Sequence, residues 1–187
     1  MYYNTTGSMH VATGVSALSN NTSGASNTAM GRWAMVDNTT GSSNVAIGRQ
    51  ALYTNTSGSN STAIGQYALF NSNGASNTAL GENAGYAVTT GAKNTALGRN
   101  AGDALTTGSN NLLLGYNAAA SAVDVSNEIT LGDAAVTKFR IPGINFAIDA
   151  GNVGIGTASP VKKLHVDGPA LATIGTLTDG ATITPNF

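Results

Sequence analysis

Cysteine is absent from the 187 residues. Its absence excludes disulfides and thiolate metal sites and leaves the redox compartment open. Charge is scarce as well. Charged residues make up 9 % and the net charge is −1, against roughly 25 % charged in an ordinary soluble domain. No electrostatic footprint for nucleic acid results, so no nucleic-acid partner is expected. No run of about 18 apolar residues occurs, so membrane insertion is not expected either. The opening residues Met1 to Thr6 carry neither the basic nor the apolar region of a secretory signal.

What the chain has in abundance is glycine, 24 residues of it. Abundant glycine with little charge can signal disorder, but the glycines are periodic. They fall at Gly14, Gly31, Gly48, Gly65, Gly81, Gly98, Gly115 and Gly132, spaced 17, 17, 17, 16, 17, 17 and 17. A second glycine lies seven residues before each of the first seven. A repeat of this regularity fixes the architecture before any propensity is considered.

Each unit has a short alternating run ended by glycine, such as Asn44-Val45-Ala46-Ile47-Gly48. Alternation over so few residues reads as a half-buried strand. A second run, Arg49-Gln50-Ala51-Leu52-Tyr53, reads as a second strand, and a turn rich in Asn, Thr, Ser and Gly closes the unit. The expected fold is all-β: a parallel β-roll or β-solenoid of about eight 17-residue coils over residues 1–132, stacked about 4.8 Å apart. The glycines of the repeat are expected at tight corners with φ > 0. Asparagines 27, 44, 77, 94 and 111 are placed to bond from coil to coil.

A coil this small has little apolar material. Met30, Val45, Ile47, Ile64, Leu80, Leu97, Leu112, Leu114, Ile129 and Leu131 are expected to form the core and an apolar seam between chains. An apolar stripe on one side of the rod invites burial against copies of the same chain. The low charge suits such an interface.

The units of form N-[TV]-A-[ILM]-G-x-x-A-L resemble the head repeats of trimeric autotransporter adhesins and related repeats of bacteriophage tail fibres. The resemblance covers roughly residues 1–132 and implies three chains, each a parallel β-roll, packed about a three-fold axis. The 17-residue unit is longer than the usual adhesin-head repeat. A second segment, Asn152-Val-Gly-Ile-Gly-Thr-Ala-Ser-Pro160 followed by Lys163-Leu-His-Val166, is similar to a segment of phage tail fibres. The implied organisation is a homotrimeric fibre: the roll, a transition over 133–151, and a short β shaft module over 152–187. Tyr2 to Gly7 align with Tyr53 to Gly58, so the chain is expected to be a fragment of a longer fibre.

Function follows the same resemblance. The expectation is a structural segment of a viral tail fibre that supports host attachment. It would sit in a virion tail appendage, with itself, other virion tail proteins and a host-surface glycan or protein as partners. The alternatives are a bacterial surface adhesin head and an ice-binding solenoid. The last would need a regular Thr face, which Thr28, Thr62, Thr78 and Thr95 partly supply.

No catalysis, cofactor or metal is expected. His10 and His165 read as polar strand positions with no third ligand at metal spacing. The acids are scattered, although neighbouring coils bring Glu82 and Asp103 into the same region. Gly154-Ile-Gly156 lacks the third glycine and the following helix of a phosphate loop. The candidate contact surface is Trp33, Tyr53, Phe70 and Tyr86. The last three, with Tyr2 and Val36, recur at the repeat period. They suit either packing or the stacking of sugar rings.

Overall fold

The structure, a computed structural model, describes residues 3–137, 153–155 and 164–166. The chain divides into two compact units, Met1–Lys138 and Phe139–Phe187. In the second, β9 (Val153–Ile155) and β10 (Leu164–Val166) pair in parallel, with His165 opposite Gly154. The expected transition around Lys138 to Gly143, the rest of the shaft module and Tyr2 lie outside the described residues.

The first unit is a β-solenoid. Its eight strands have three residues each: β1 (Val11–Thr13), β2 (Thr28–Met30), β3 (Val45–Ile47), β4 (Thr62–Ile64), β5 (Thr78–Leu80), β6 (Thr95–Leu97), β7 (Leu112–Leu114) and β8 (Ile129–Leu131). They form one parallel sheet in chain order. Equivalent residues of successive repeats stand opposite each other, so that Ala29, Ala46 and Ala63 form one column. Stacking in register follows from the repeat itself, because each coil presents its neighbour with the same pattern of groups.

The eight corner glycines have φ between +81° at Gly132 and +140° at Gly31, as the sequence led us to expect. Space constrains them too. A Cβ on Gly48 would lie 2.5 Å from the carbonyl oxygen of Gly65 in the next coil. The second glycine series is required by space alone: a Cβ on Gly41 would meet the Gly58 oxygen at 2.4 Å.

Two expectations are corrected. First, the run after each corner glycine is not a strand. Gly48 accepts a hydrogen bond from the Ala51 N–H, closing a turn whose third residue, Gln50, has φ +59°. Leu52 follows with φ +49°. The reversal lets two consecutive residues, Ala51 and Leu52, both turn inward and be fully buried. A strand, whose side chains alternate, cannot do this.

Second, the strand parity is the reverse of that expected. The interior holds Ala29, Ala46, Ala63, Ala79 and Ala96, while the larger neighbours point out. Met30 is 42 % exposed, Leu80 46 % and Ile129 70 %. Val45, Ile64, Leu97 and Leu112 are half-buried, and Ile47, Leu114 and Leu131 are exposed. None of these ten is core of the single chain. The asparagine explains the parity. Asn27 and Asn44 are fully buried one residue before each strand, and with a period of two the next inward position is the alanine.

The core itself is built from the turn segment. Leu18, Met35, Leu52 and Leu69 are the large side chains buried there. Each contributes about 1.5–3 kcal/mol by its burial. After Leu69 the core changes. Gly85 and Gly102 take the leucine position, and Val88 and Leu105, three residues later, are buried instead. Leu113 replaces the strand alanine, and a Cβ on Gly102 would lie only 3.3 Å from it. The apolar filling of the coil passes to residues at other positions.

Candidate functional site

Inside the coil, asparagines fasten each turn to the next. Asn44 accepts the Ser61 N–H through Oδ1 at 2.9 Å and donates from Nδ2 to the Gly58 carbonyl at 2.8 Å. Asn27, Asn77, Asn94 and Asn111 repeat the arrangement. The expected coil-to-coil bonding therefore exists, but runs mainly from side chain to backbone. His10 holds the same place in the first coil, where its Nδ1 accepts the Asn27 N–H at 3.3 Å.

A second ladder was not foreseen. Asn21 donates to Asn4, Asn38 to Asn21 and Asn55 to Asn38, at 2.7–2.8 Å. It ends at Asn55, whose Oδ1 is buried without a partner, because the next coil has Ser72 at that position.

The one 16-residue unit carries its own repair. In the regular coils, backbone N–H groups of one turn converge on a threonine carbonyl of the next, as Thr22, Ser23 and Gly24 do on Thr39. The short coil lacks that residue. Asn73 supplies its side-chain Oδ1 instead, which accepts from the N–H groups of Thr56, Ser57 and Gly58 at 3.0–3.3 Å.

Two surfaces face outward. The first is the strand face. Its columns are set by register: Thr28, Val45, Thr62, Thr78, Thr95 and Leu112 in one; Met30, Ile47, Ile64, Leu80, Leu97 and Leu114 in the other. The second column is aliphatic throughout and continues to Leu131. An exposed apolar column of this length is unusual for a solitary soluble chain. The threonine column is interrupted by Val45 and Leu112.

The second surface is an aromatic flank. Tyr53 stacks on Phe70 and Phe70 on Tyr86, both with centroids 5.2 Å apart and planes within 9°. Three of the four candidate contact residues thus lie in or beside one ladder, while Trp33 sits apart under the Arg32 guanidinium, 3.7 Å from its centroid. Tyr67 was missed. It stands two residues after its corner glycine, as Trp33 does, and meets Phe70 and Tyr86 edge-on at 74° and 83°. Arg49 lies 4.9 Å from its ring centroid. An open groove of about 540 Å³ runs beside these rings, lined by Gln50, Tyr67, Phe70, Asn83, Tyr86 and Asp103.

The charged groups are few and dispersed. Glu82 pairs with Arg99 at 3.1 Å, on a different column from Asp103. Glu128 takes the asparagine place in the last coil. Ser121 donates to its carboxylate from both hydroxyl and backbone, and Thr130 donates at 2.8 Å. The Ser121 hydroxyl is the main reason its carboxyl is held below the usual range. Among the described residues there is no group of three or more His, Cys, Asp or Glu side chains able to hold a metal ion. No helix among them is long and apolar enough to cross a membrane.

Compared with known proteins, the chain matches no family model, no curated protein and no solved structure.

Proposed function

We propose that this chain is a structural segment of a homotrimeric bacteriophage tail fibre, in which three solenoids pack through their strand faces and carry host attachment at a distance. The observation that carries the reading is the unbroken aliphatic column from Met30 to Leu131 on the outside of the sheet. Left in water, such a column lowers solubility; buried between three copies, it adds apolar burial to every coil. The column holds no charge to obstruct the packing.

Stiffness is the mechanism. Each coil is bound to the next by backbone hydrogen bonds, by buried polar side chains and by a buried apolar row, with a second asparagine ladder added from Asn4 to Asn55, so bending must open several of them together. Such a rod holds a recognition element away from the particle. The repeat resembles both phage fibres and adhesin heads, and the segment Asn152 to Val166 favours the fibre.

Antibodies raised against residues 3–137 test the assignment. In a lysate of the producing organism they should label phage tail appendages in electron micrographs. Labelling of the bacterial envelope alone would support the adhesin reading and overturn this one.

A further inference from the structure

The aromatic flank is short where the aliphatic column is long, and its ends explain what it is for. At the stacking position five residues after the corner glycine, successive coils carry Ser19, Val36, Tyr53, Phe70, Tyr86, Asp103 and Ala120. Only three of them are aromatic. A seam between parallel rods must run along every coil, and this patch does not. Nor is it the size of a protein interface, which needs roughly 800 Å² per partner. Two steps of 5.2 Å span the whole stack.

The faces of these rings are not equally used. Phe70 has a ring on each side. Tyr86 has Phe70 on one side only, because the next coil carries Asp103 in place of a ring, and it is 37 % exposed. One aromatic face is therefore open at the end of the stack, beside the groove. Polar groups surround it. Among the described residues, the Gln50 amide, the Asp103 carboxylate and the Tyr67 and Tyr86 hydroxyls make no hydrogen bond, while Asn83 uses its Nδ2 on Asn100 at 3.2 Å and keeps Oδ1 free.

We propose that the groove at Tyr86 is a binding site for an uncharged pyranose sugar. A pyranose has one apolar face of C–H groups and a rim of hydroxyls. The open Tyr86 face suits the first, as aromatic rings with a polar edge generally do in binding sites. The Asp103 carboxylate accepts from two neighbouring hydroxyls, and the Gln50 and Asn83 amides complete the rim. Asp103 is the one acidic side chain lining the groove, and the Arg49 guanidinium is held on the Tyr67 ring, so the Asp103 charge disfavours sugars that carry carboxylate, sulfate or phosphate. A shallow site of this kind binds weakly, in the millimolar range at about 1 mM or above. Three copies in a trimer would multiply its effect through avidity. The site lies within one chain and does not depend on the fibre reading.

The test is a titration of the 15N-labelled full chain with the methyl glycosides of glucose, galactose, mannose and N-acetylglucosamine, and with glucuronic acid. At least one neutral glycoside should move the side-chain amide signals of Gln50 and Asn83. Glucuronic acid should move them several-fold less at the same concentration. Tyr86→Ala should weaken the neutral sugar by about tenfold or more. Asp103→Asn, which keeps the shape, should weaken it and remove the discrimination against glucuronic acid. Circular dichroism and native mass, unchanged in both variants, show that the fold is intact. Any of three results overturns the proposal: none of the four neutral glycosides shifts the signals, glucuronic acid binds as well, or both variants bind unchanged. Each can occur whether the chain is a trimer or not, so native mass separates failure of this site from failure of the fibre reading.

Discussion

Replacing Asn44 by alanine tests whether the buried amides hold the coils together. Asn44 is fully buried. Its Oδ1 accepts the Ser61 N–H at 2.9 Å and its Nδ2 donates to the Gly58 carbonyl at 2.8 Å. Alanine leaves the Ser61 N–H inside the coil with no partner, whereas the Gly58 carbonyl keeps its bond from Asn55 Nδ2 at 3.0 Å. The stranded N–H costs about 1–3 kcal/mol and the second lost bond about 0.5–1.5 kcal/mol, so the substitution should cost about 1.5–4.5 kcal/mol. That is a large share of the total stability of an ordinary domain, about 5–15 kcal/mol. Because each coil touches only its neighbours, the loss should be local. The assay is urea unfolding followed by circular dichroism at one fixed protein concentration, with hydrogen exchange to locate the damage. Asn71→Ala is the control, since Asn71 makes an exposed bond to the Tyr86 carbonyl. The control should shift stability by less than about 1 kcal/mol. In Asn44→Ala, exchange should accelerate in the coils spanning residues 27–61 and stay slow around residues 94–113. An Asn44→Ala midpoint equal to that of the control, with unchanged exchange, would refute the reasoning.

Gly48→Ala should prevent correct stacking, because it combines φ +133° with a Cβ 2.5 Å from the Gly65 oxygen; a native-like melting profile would contradict this. Asn73→Ala should cost about 1–3 kcal/mol, far more than an exposed Asn normally does, because it removes the shared acceptor of three backbone N–H groups; urea unfolding measures it. Leu80→Asp should leave the circular dichroism of the coil intact while converting the proposed trimer to monomer in light scattering. The depressed Glu128 carboxyl stabilises the last coil above its unfolded value of about 4.3, and that contribution disappears as pH falls through the lower folded value. Hydrogen-exchange protection around residues 111–128, corrected for the intrinsic pH dependence of exchange, should therefore fall in acid, and Glu128→Gln should abolish that fall.

The repeat made the stacking legible. A 17-residue spacing of glycine demanded coils in register, and the corner φ values followed from it. Parity was not legible. An alternating run such as Asn44-Val45-Ala46-Ile47 defines two faces without saying which is inside, and ranking by apolar area chose Val45 and Ile47. The competing demand came from Asn44: its amide must reach two backbone groups of the next coil, and it carries Ala46 inward with it. The turn after Gly48 was misread for a related reason. Ala51 and Leu52 are adjacent and apolar, which fits a buried strand as well as a turn with reversed φ. The later units carried the missing signal. Asn83 and Asn100 at the first reversed position, and Gly85 and Gly102 at the second, are the residues that tolerate left-handed backbone best. Asn73 was also visible, at the one place where the spacing drops to 16, but only the position of its Oδ1 revealed what it replaces. Tyr67 was missed because its column holds Gln50 and Asn83 on either side, so no aromatic period marks it.

The native mass of the chain in solution, by light scattering on a sizing column, tests the strand-face packing most directly. The packing predicts about 56 kDa, three times the 18.6 kDa chain. A single species at 18.6 kDa would contradict it, because the aliphatic column from Met30 to Leu131 would then stand in water with no partner copy.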